Sequence, residues 1–166
     1  MALFTRNMHG RGHLPAWVRA MQDLRRRMNR FLQRNDPRRA RRNVAHHYDL
    51  SDDLYRLFLD ADMQYSCAYF ARPDMTLEEA QEAKKAHIAA KLRLEPGCRV
   101  LDIGCGWGGM ALTLARDHGA RVTGVTLSQN QVETARRRAE ATGLSDRVDF
   151  RLADYRKLDE SFDRIV

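Results

Sequence analysis

Short apolar runs alternate with helical patterns from residue 99 to the last residue of the chain. Continuous apolar runs bounded by turn residues are typical of buried strands, whereas apolar residues spaced three and four apart predict helices. The predicted strands are Arg99–Ile103, Arg121–Thr126, Val148–Leu152 and the start of a fourth at residues 162–166. Predicted helices cover residues 110–117 and 129–142, and glycines end both. This alternation predicts an α/β fold built on a parallel, doubly wound sheet.

Two capping-box patterns predict where helices begin. Thr76 and Glu79 precede the helical pattern of residues 80–94, which Glu95-Pro96-Gly97 ends with turn residues. Ser128 and Gln131 precede the helix of residues 129–142. In such a box the hydroxyl and the acidic or amide side chain satisfy two backbone amides reciprocally, so both starts are specified locally.

Upstream of the first box, residues 43–59 have a helical pattern and residues 63–74 read as a loop. Ser51 is predicted to cap a helix over residues 52–59, because the acidic Asp52 and Asp53 suit the positive end of a helix dipole.

An amphipathic helix is predicted over residues 14–32. Its apolar side chains recur at spacings of three and four, and arginines fall largely between them. The following residues 33–42 contain Asp36-Pro37 and five arginines, which is typical of a linker. We therefore place a boundary near residue 42 and divide the chain into a basic arm, residues 1–42, and a domain, residues 43–166.

The charge of the chain is distributed unevenly between these two parts. The net charge is +7, but residues 1–42 hold twelve arginines and two aspartates, a net charge of +10, and the remainder carries −3. A concentrated positive charge indicates an anionic partner for the arm, either a membrane or a nucleic acid.

Compartment and redox state follow from what the sequence omits. No stretch has the roughly 20 consecutive apolar residues of a membrane span, and the first residues lack a secretory signal pattern. Three cysteines without metal-ligand or redox spacing predict reduced thiols and no structural metal. We expect a cytoplasmic protein.

A glycine-rich turn follows the first predicted strand directly and leads into a helix. Gly104, Gly106 and Gly108 would let a ligand approach the backbone at the edge of the sheet where nucleotide-like ligands bind. A phosphate-binding Walker loop would need Lys-Ser or Lys-Thr after the glycines, which is absent. A dinucleotide site fits poorly, because its third glycine would stand two residues further on, and a purely structural turn remains an alternative.

Several sequence blocks together resemble a known enzyme family. Tyr65-Ser66-Cys67-Ala68-Tyr69-Phe70, the run from Leu101 to Gly109, Gly124-Val125-Thr126-Leu127-Ser128 and residues 43–59 resemble cyclopropane-fatty-acyl-phospholipid synthases and mycolic-acid cyclopropane synthases. The resemblance covers about residues 43–166. It implies a class I methyltransferase fold, a Rossmann-like parallel sheet of seven strands that would be incomplete here, preceded by an N-terminal helical region. It also implies S-adenosylmethionine as cofactor.

The resemblance assigns three groups of residues to that cofactor. Those implied for the methionine and sulfonium end are Tyr65, Ser66, Gly104, Cys105 and Gly106, with Asp102 supporting the loop. Those implied for the ribose are Thr126, Leu127 and Gln131, where class I enzymes usually have an acidic residue. Asp154 and Tyr155 would lie by the adenine, although an ordinary polar loop is the alternative.

The implied chemistry adds a methylene carbon to the double bond of an unsaturated phospholipid acyl chain. Related enzymes use bicarbonate as the base, and Cys67 matches the family cysteine at that site, although a lone cysteine is also commonly an inert buried residue. Adjacent His46 and His47 are expected to be structural, and His87 to be solvated or packed. Trp107 is left between packing and ligand contact.

The family's Glu-His pair and later tyrosine have no counterpart among the 166 residues. We therefore expect an N-terminal fragment that is inactive alone. Two alternatives remain: a non-catalytic fragment that binds anionic membranes, with the arm peripheral at the inner face of the membrane, or an RNA methyltransferase. The arm lacks an aromatic stacking series, so nucleic acid is disfavoured. A homo-oligomer stays open, as does cyclopropanation against methyl branching.

Overall fold

The structure of the chain, a computed structural model, describes residues 16–32 and 52–166. The chain divides into two compact units, residues 1–36 and 37–166, which are described separately. The expectations for Ser51, His46 and His47 lie outside the described residues.

In the first unit the described residues form one helix, α1, Ala16–Leu32. Trp17, Met21, Leu24 and Met28 project from it at spacings of three and four, and each is more than half exposed. Among the described residues no helix is both long and apolar enough to cross a membrane.

The second unit contains a parallel sheet of four described strands in the order β3-β2-β1-β4. The strands are β1 Arg99–Ile103, β2 Arg121–Thr126, β3 Val148–Leu152 and β4 Arg164–Ile165. β2 pairs with both β1 and β3, and β4 lies on the other side of β1. The predicted α/β class and parallel sheet are confirmed, although β4 is shorter than the run predicted for it.

The helices of this unit are α2 Asp52–Arg56, α3 Leu77–Leu92, α4 Gly109–His118 and α5 Gln129–Ala141, followed by a 3-10 turn at Tyr155–Lys157. α2 ends at Arg56, before the predicted residue 59, and the next residue, Leu57, is exposed. α3 ends two residues early because Arg93 adopts a left-handed conformation, φ +48°, and Leu94 then turns towards the core.

One of the two predicted capping boxes is complete and the other is half formed. At α3 the Thr76 hydroxyl accepts from the Glu79 amide, and the Glu79 carboxylate accepts from the Thr76 amide at 2.9 Å. At α5 the Ser128 hydroxyl accepts from the Gln131 amide, but the Gln131 side-chain oxygen accepts from Thr126 instead.

The main core lies between the sheet and α3, α4 and α5. Its buried side chains include Val100 and Val122 from the strands, Leu114 from α4 and Phe150 from β3. A smaller cluster of Tyr55, Met63 and Trp107 connects the segment around α2 to the glycine-rich turn. This second cluster places the N-terminal part of the unit beside the carboxyl edge of the sheet.

Candidate functional site

The glycine loop, residues 104–108, turns back over the neighbouring strand as soon as β1 ends. Gly104, Gly106 and Gly108 all have positive φ, a region that glycine adopts at low cost. The amides of Gly104 and Cys105 donate to the Val125 carbonyl of β2 at 2.8 and 3.1 Å. These bonds fix the loop against the sheet edge without a ligand.

Open space faces two of the glycines. A Cβ built on Gly104 or Gly106 would meet no atom within 4 Å, whereas one on Gly108 would lie 2.6 Å from Phe150 Cζ. The loop therefore presents bare backbone at Gly104 and Gly106, as close approach of a ligand requires. The predicted S-adenosylmethionine loop fits this geometry.

Asp102 lies in β1 just before the loop, and its side chain is almost completely buried. Burial raises its pKa to about 7, and its Oδ2 atom has no hydrogen-bond partner among the described residues. An unpaired buried polar atom lowers the stability of the fold, so the presence of this carboxyl group indicates a functional role and not a stabilising one.

Cys105 points away from the loop into the main core, where it is 7% exposed. Burial and the nearby Asp102 raise the pKa of its thiol, so the sulfur stays protonated and unreactive. Any contact of Cys105 with the predicted cofactor would therefore use its backbone.

Thr126, Leu127 and Gln131, predicted for the ribose, lie together at the end of β2 and the start of α5. The Thr126 hydroxyl donates to Gln131 Oε1 at 2.6 Å and accepts from the Ser128 amide at 3.2 Å. The Gln131 oxygen thus already accepts a hydrogen bond, which leaves the side-chain N–H groups to donate to a ribose hydroxyl. An acidic residue would instead offer an acceptor.

The segment predicted for the adenine begins beside Thr126, because the Ala153 amide donates to the Thr126 carbonyl at 3.0 Å. The Asp154 carboxylate accepts from Arg156 Nε and Nη2 and from the Arg156 amide, and these bonds lower its pKa to about 2. Asp154 therefore fixes the 3-10 turn, and the half-exposed ring of Tyr155 is the surface left for a base.

The Tyr65-Ser66-Cys67 block reaches the loop through aromatic contacts. The ring of Tyr55 lies 4.9 Å from that of Trp107 and 5.4 Å from that of Tyr65, centre to centre. The structure thus links Tyr65, and with it the adjacent Ser66, to Trp107 of the glycine loop through the ring of Tyr55. Trp107 is 2% exposed and donates through Nε1 to Asp52 at 2.7 Å, so it packs within the unit.

Cys67 is exposed, so the alternative of an inert buried cysteine is wrong. Its side chain lies in the irregular segment before α3. His87 is also exposed, and its ring stacks on that of Tyr69 at 4.9 Å, as the expectation of a solvated or packed residue allowed.

Sequence reasoning missed the polar network that holds this segment in place. Asp52 accepts from Trp107, Asn130 and Thr134. Asp62 pairs with Lys85 at 2.7 Å and with Arg138. Burial alone would raise the pKa of Asp62, but the bond from Lys85 and the charge of Arg138 outweigh it and lower the pKa. No periodic pattern could have revealed these residues, since each resembles an ordinary solvent-facing helix or loop residue.

Comparison with known proteins gives a consistent set of relatives. A family model described as mycolic acid cyclopropane synthetase matches residues 35–166. The chain is 48% identical over 134 residues to a probable fatty acid methyltransferase of Pseudomonas putida, covering 80% of this chain and 34% of that protein. It is 52% identical over 120 residues to the cyclopropane-fatty-acyl-phospholipid synthase of Escherichia coli K12, covering 72% and 30%.

Solved structures give the same fold. A mycolic acid cyclopropane synthase, CmaA1, complexed with SAH and CTAB matches with a TM-score of 0.72 and 45% identity over 75% of this chain and 44% of that one. The cyclopropane synthase MmaA2 from Mycobacterium tuberculosis matches with a TM-score of 0.73 and 44% identity over the same shares. The chain spans about a third of the length of the first two curated relatives named above.

Proposed function

The chain belongs to the mycolic acid cyclopropane synthetase family, and on that premise we propose that it serves the S-adenosylmethionine-dependent transfer of a methylene carbon to the double bond of an unsaturated phospholipid acyl chain. One observation carries the proposal: two glycines at the end of β1 hold positive φ and face open space. Just before them, the buried Oδ2 atom of Asp102 has no hydrogen-bond partner among the described residues. The name of the Escherichia coli relative supports phospholipid as the carrier of the acyl chain.

Each group of residues has a distinct task in this proposal. Gly104 and Gly106 give room to the methionine end, and Ser66 and Tyr65 approach it from the segment before α3. The amide of Gln131 meets the ribose, and the exposed ring of Tyr155 meets the adenine. When bound, S-adenosylmethionine supplies an electrophilic methyl group on a positively charged sulfur.

The contribution of the chain to rate is orientation. Methyl transfer to an alkene needs the two reacting carbons aligned, and fixed positioning can remove roughly 7–11 kcal/mol from a bimolecular barrier. Ring closure then requires the loss of one proton from the transferred carbon. Bicarbonate would serve as the base, and the exposed Cys67 would be one of the residues that hold it. Of the residues that the resemblance implies for this ion, the sequence contains Cys67 alone.

Calorimetric titration with S-adenosylhomocysteine tests the cofactor site. We expect Gly104→Val and Gly106→Val to weaken binding by about 100-fold or more, since each side chain would occupy the open space. Gly143→Val is the matched control, because Gly143 also has positive φ with nothing within 4 Å of its Cβ position but lies at the end of α5. Equal affinity in all variants would remove the assignment.

Turnover separates the enzyme from its alternatives. We expect the 166-residue chain to bind the cofactor without modifying lipid, because the Glu-His pair and tyrosine of the implied base site are absent from it. A longer chain that supplies them should add a CH2 to unsaturated phospholipid. Mass spectrometry would detect the heavier lipid, and the release of S-adenosylhomocysteine would be measured in parallel. Methylation of RNA and not of lipid would contradict the proposal that the substrate is a phospholipid.

We propose a second activity for α1, which is binding to the inner face of an anionic membrane. The helix exposes Trp17, Met21, Leu24 and Met28 between its arginines, and the family match begins only after it, at residue 35. Such a helix lies in the interface with its apolar face in the acyl boundary, and each basic residue contributes about 1 kcal/mol near an anionic surface.

Co-sedimentation with vesicles tests this activity. Arg25→Glu with Arg26→Glu should abolish binding to phosphatidylglycerol vesicles, whereas the same two charge reversals at the exposed Lys91 and Arg121 should not. Equal binding of the unaltered chain to neutral and anionic vesicles would contradict an electrostatic contribution to binding. A concentration-dependent dimer formed through α1 would show that the partner of this helix is a second copy of the chain and not a membrane.

A further inference from the structure

Two consecutive lysines of α3 are buried in opposite surroundings. Lys85 Nζ forms ion pairs with Asp62 and Glu82, both at 2.7 Å. Lys84 Nζ donates instead to two neutral acceptors, Gln64 Oε1 and Ser66 Oγ, each at 2.8 Å. Both lysines are less than 10% exposed. A buried ammonium group on neutral partners is costly, so stability alone does not account for Lys84.

The direction of the Lys84 bonds determines how Ser66 can act. An ammonium group has only hydrogens to give, so the Ser66 oxygen must accept, and the hydroxyl hydrogen must point away from Lys84. Gln81 Nε2 holds the same segment from the other side by donating to the backbone carbonyls of Gln64 and Ser66, at 3.2 and 3.1 Å. Ser66 itself is exposed. Its hydroxyl hydrogen is thus directed away from Lys84, and the positive charge of Lys84 lies behind the oxygen.

Other charges near Lys84 do not cancel this arrangement. Burial lowers the pKa of Lys84, as does Lys85, while Asp60, Asp62 and Cys67 raise it. Asp60 accepts from the amides of Asp62 and Gln64, and Asp62 is paired with Lys85 and Arg138. The nearby carboxylates are therefore directed to other donors, and the acceptors of Lys84 remain Gln64 Oε1 and Ser66 Oγ.

We propose that Lys84 is a positioning residue that orients the Ser66 hydroxyl towards a carboxylate, so that the site selects a cofactor with its amino-acid end over one without it. The inference rests on the proposed function, because the amino-acid carboxylate belongs to S-adenosylmethionine and its product. A donor supported by a positive charge favours an anionic acceptor, since charge-assisted hydrogen bonds are about twice as strong as neutral ones.

A comparison of two ligands on the purified chain tests the inference. S-adenosylhomocysteine carries the amino-acid end, and 5′-methylthioadenosine lacks it. We expect Lys84→Met to weaken S-adenosylhomocysteine binding by about tenfold, the loss expected for one hydrogen bond with charged partners, and to change 5′-methylthioadenosine binding by less than about twofold.

Gln81→Met is the matched control, because it loosens the same segment without removing the Ser66 side-chain bond. It should change the affinities for both ligands by the same factor. Ser66→Ala, at an exposed position, keeps the test open should Lys84→Met fail to fold. Like Lys84→Met, it should lower the affinity for S-adenosylhomocysteine relative to that for 5′-methylthioadenosine. The double variant should lose no more S-adenosylhomocysteine affinity than either single variant.

The outcomes separate the two proposals. Should the unaltered chain bind neither ligand, the cofactor site itself is wrong, and the inference falls with it. Should it bind both ligands while Lys84→Met, or Ser66→Ala where Lys84→Met does not fold, leaves their affinity ratio unchanged, only the inference is overturned. Additive losses in the double variant would likewise show that Lys84 does not act through Ser66.

Discussion

The two sides of the glycine loop use the same residue for different physical reasons. On the open face, Gly104 and Gly106, a Cβ would meet nothing within 4 Å. The packed face consists of Gly108 in the loop and its neighbours Gly109 in α4 and Gly124 in β2, where a Cβ would collide with Phe150 or with Asp62 and Gln64. The open face leaves space for a ligand, whereas the packed face lets the loop, β2 and β3 approach one another. Glycine in a motif therefore does not by itself identify a ligand contact.

The largest expected effect concerns Asp102, the buried carboxyl group immediately before the open face. Its folded pKa of about 7 lies above the ordinary 3.8, so the stability it contributes is complete below about pH 4 and is lost as the pH rises through 7. A difference of about three units corresponds to about 4 kcal/mol of unfolding free energy. Urea unfolding between about pH 4.5 and 7.5 should show this decline, and Asp102→Asn should flatten it.

Two other acidic groups, Asp62 and Asp154, affect stability in a different pH range. The pKa values of Asp62 and Asp154 are lowered, so their stabilisation is present above the ordinary value and is lost only as the pH falls below it. Their effect has the opposite sign and a more acidic window. If the unfolding free energy of Asp102→Asn declined with pH as steeply as that of the unaltered chain, the raised pKa of Asp102 would be wrong.

The next effect breaks the packed face. Gly124 lies in β2 without a positive φ, and a Cβ there would sit 2.6 Å from Phe150 Cδ1, so Gly124→Ala adds a packing conflict and no backbone strain. We expect a loss of about 1–3 kcal/mol of unfolding free energy. Phe150→Leu makes room, so the double variant should lose less than the sum of the two single variants. Simple additivity in urea unfolding would contradict the close approach.

The smallest effect on stability belongs to the open face. Gly104→Ala and Gly143→Ala should each cost about 1–2 kcal/mol, because both positions have positive φ and neither has a neighbour near the added methyl group. The two should differ only in S-adenosylhomocysteine affinity, which Gly104→Ala lowers. A much larger stability loss at Gly104 than at Gly143 would place Gly104 on the packed face.

Local patterns predicted much of the fold because their physical causes are local. The bounds of β1, β2 and β3 agree with the predicted strands, because each strand is a short segment between turn residues and alternates with a helical pattern, as in a parallel sheet. The box of Thr76 and Glu79 formed as predicted, because its partners are three residues apart. Gln131 left its own box because Thr126, a strand residue five positions earlier, offers its oxygen a donor.

By itself, the sequence determined the alternating fold, the glycine loop, the family and the uneven charge, because each is written in neighbouring residues or in blocks that keep their order. Only the tertiary structure decided which glycines face a ligand and which polar side chains are buried. Lys84 meets Ser66 from 18 positions away, and Asp52 meets Thr134 from 82 positions away. A polar residue on a helix surface has a solvent-facing pattern until a distant segment covers it. Burial then turns its hydrogen bonds into requirements, because water no longer replaces a missing partner.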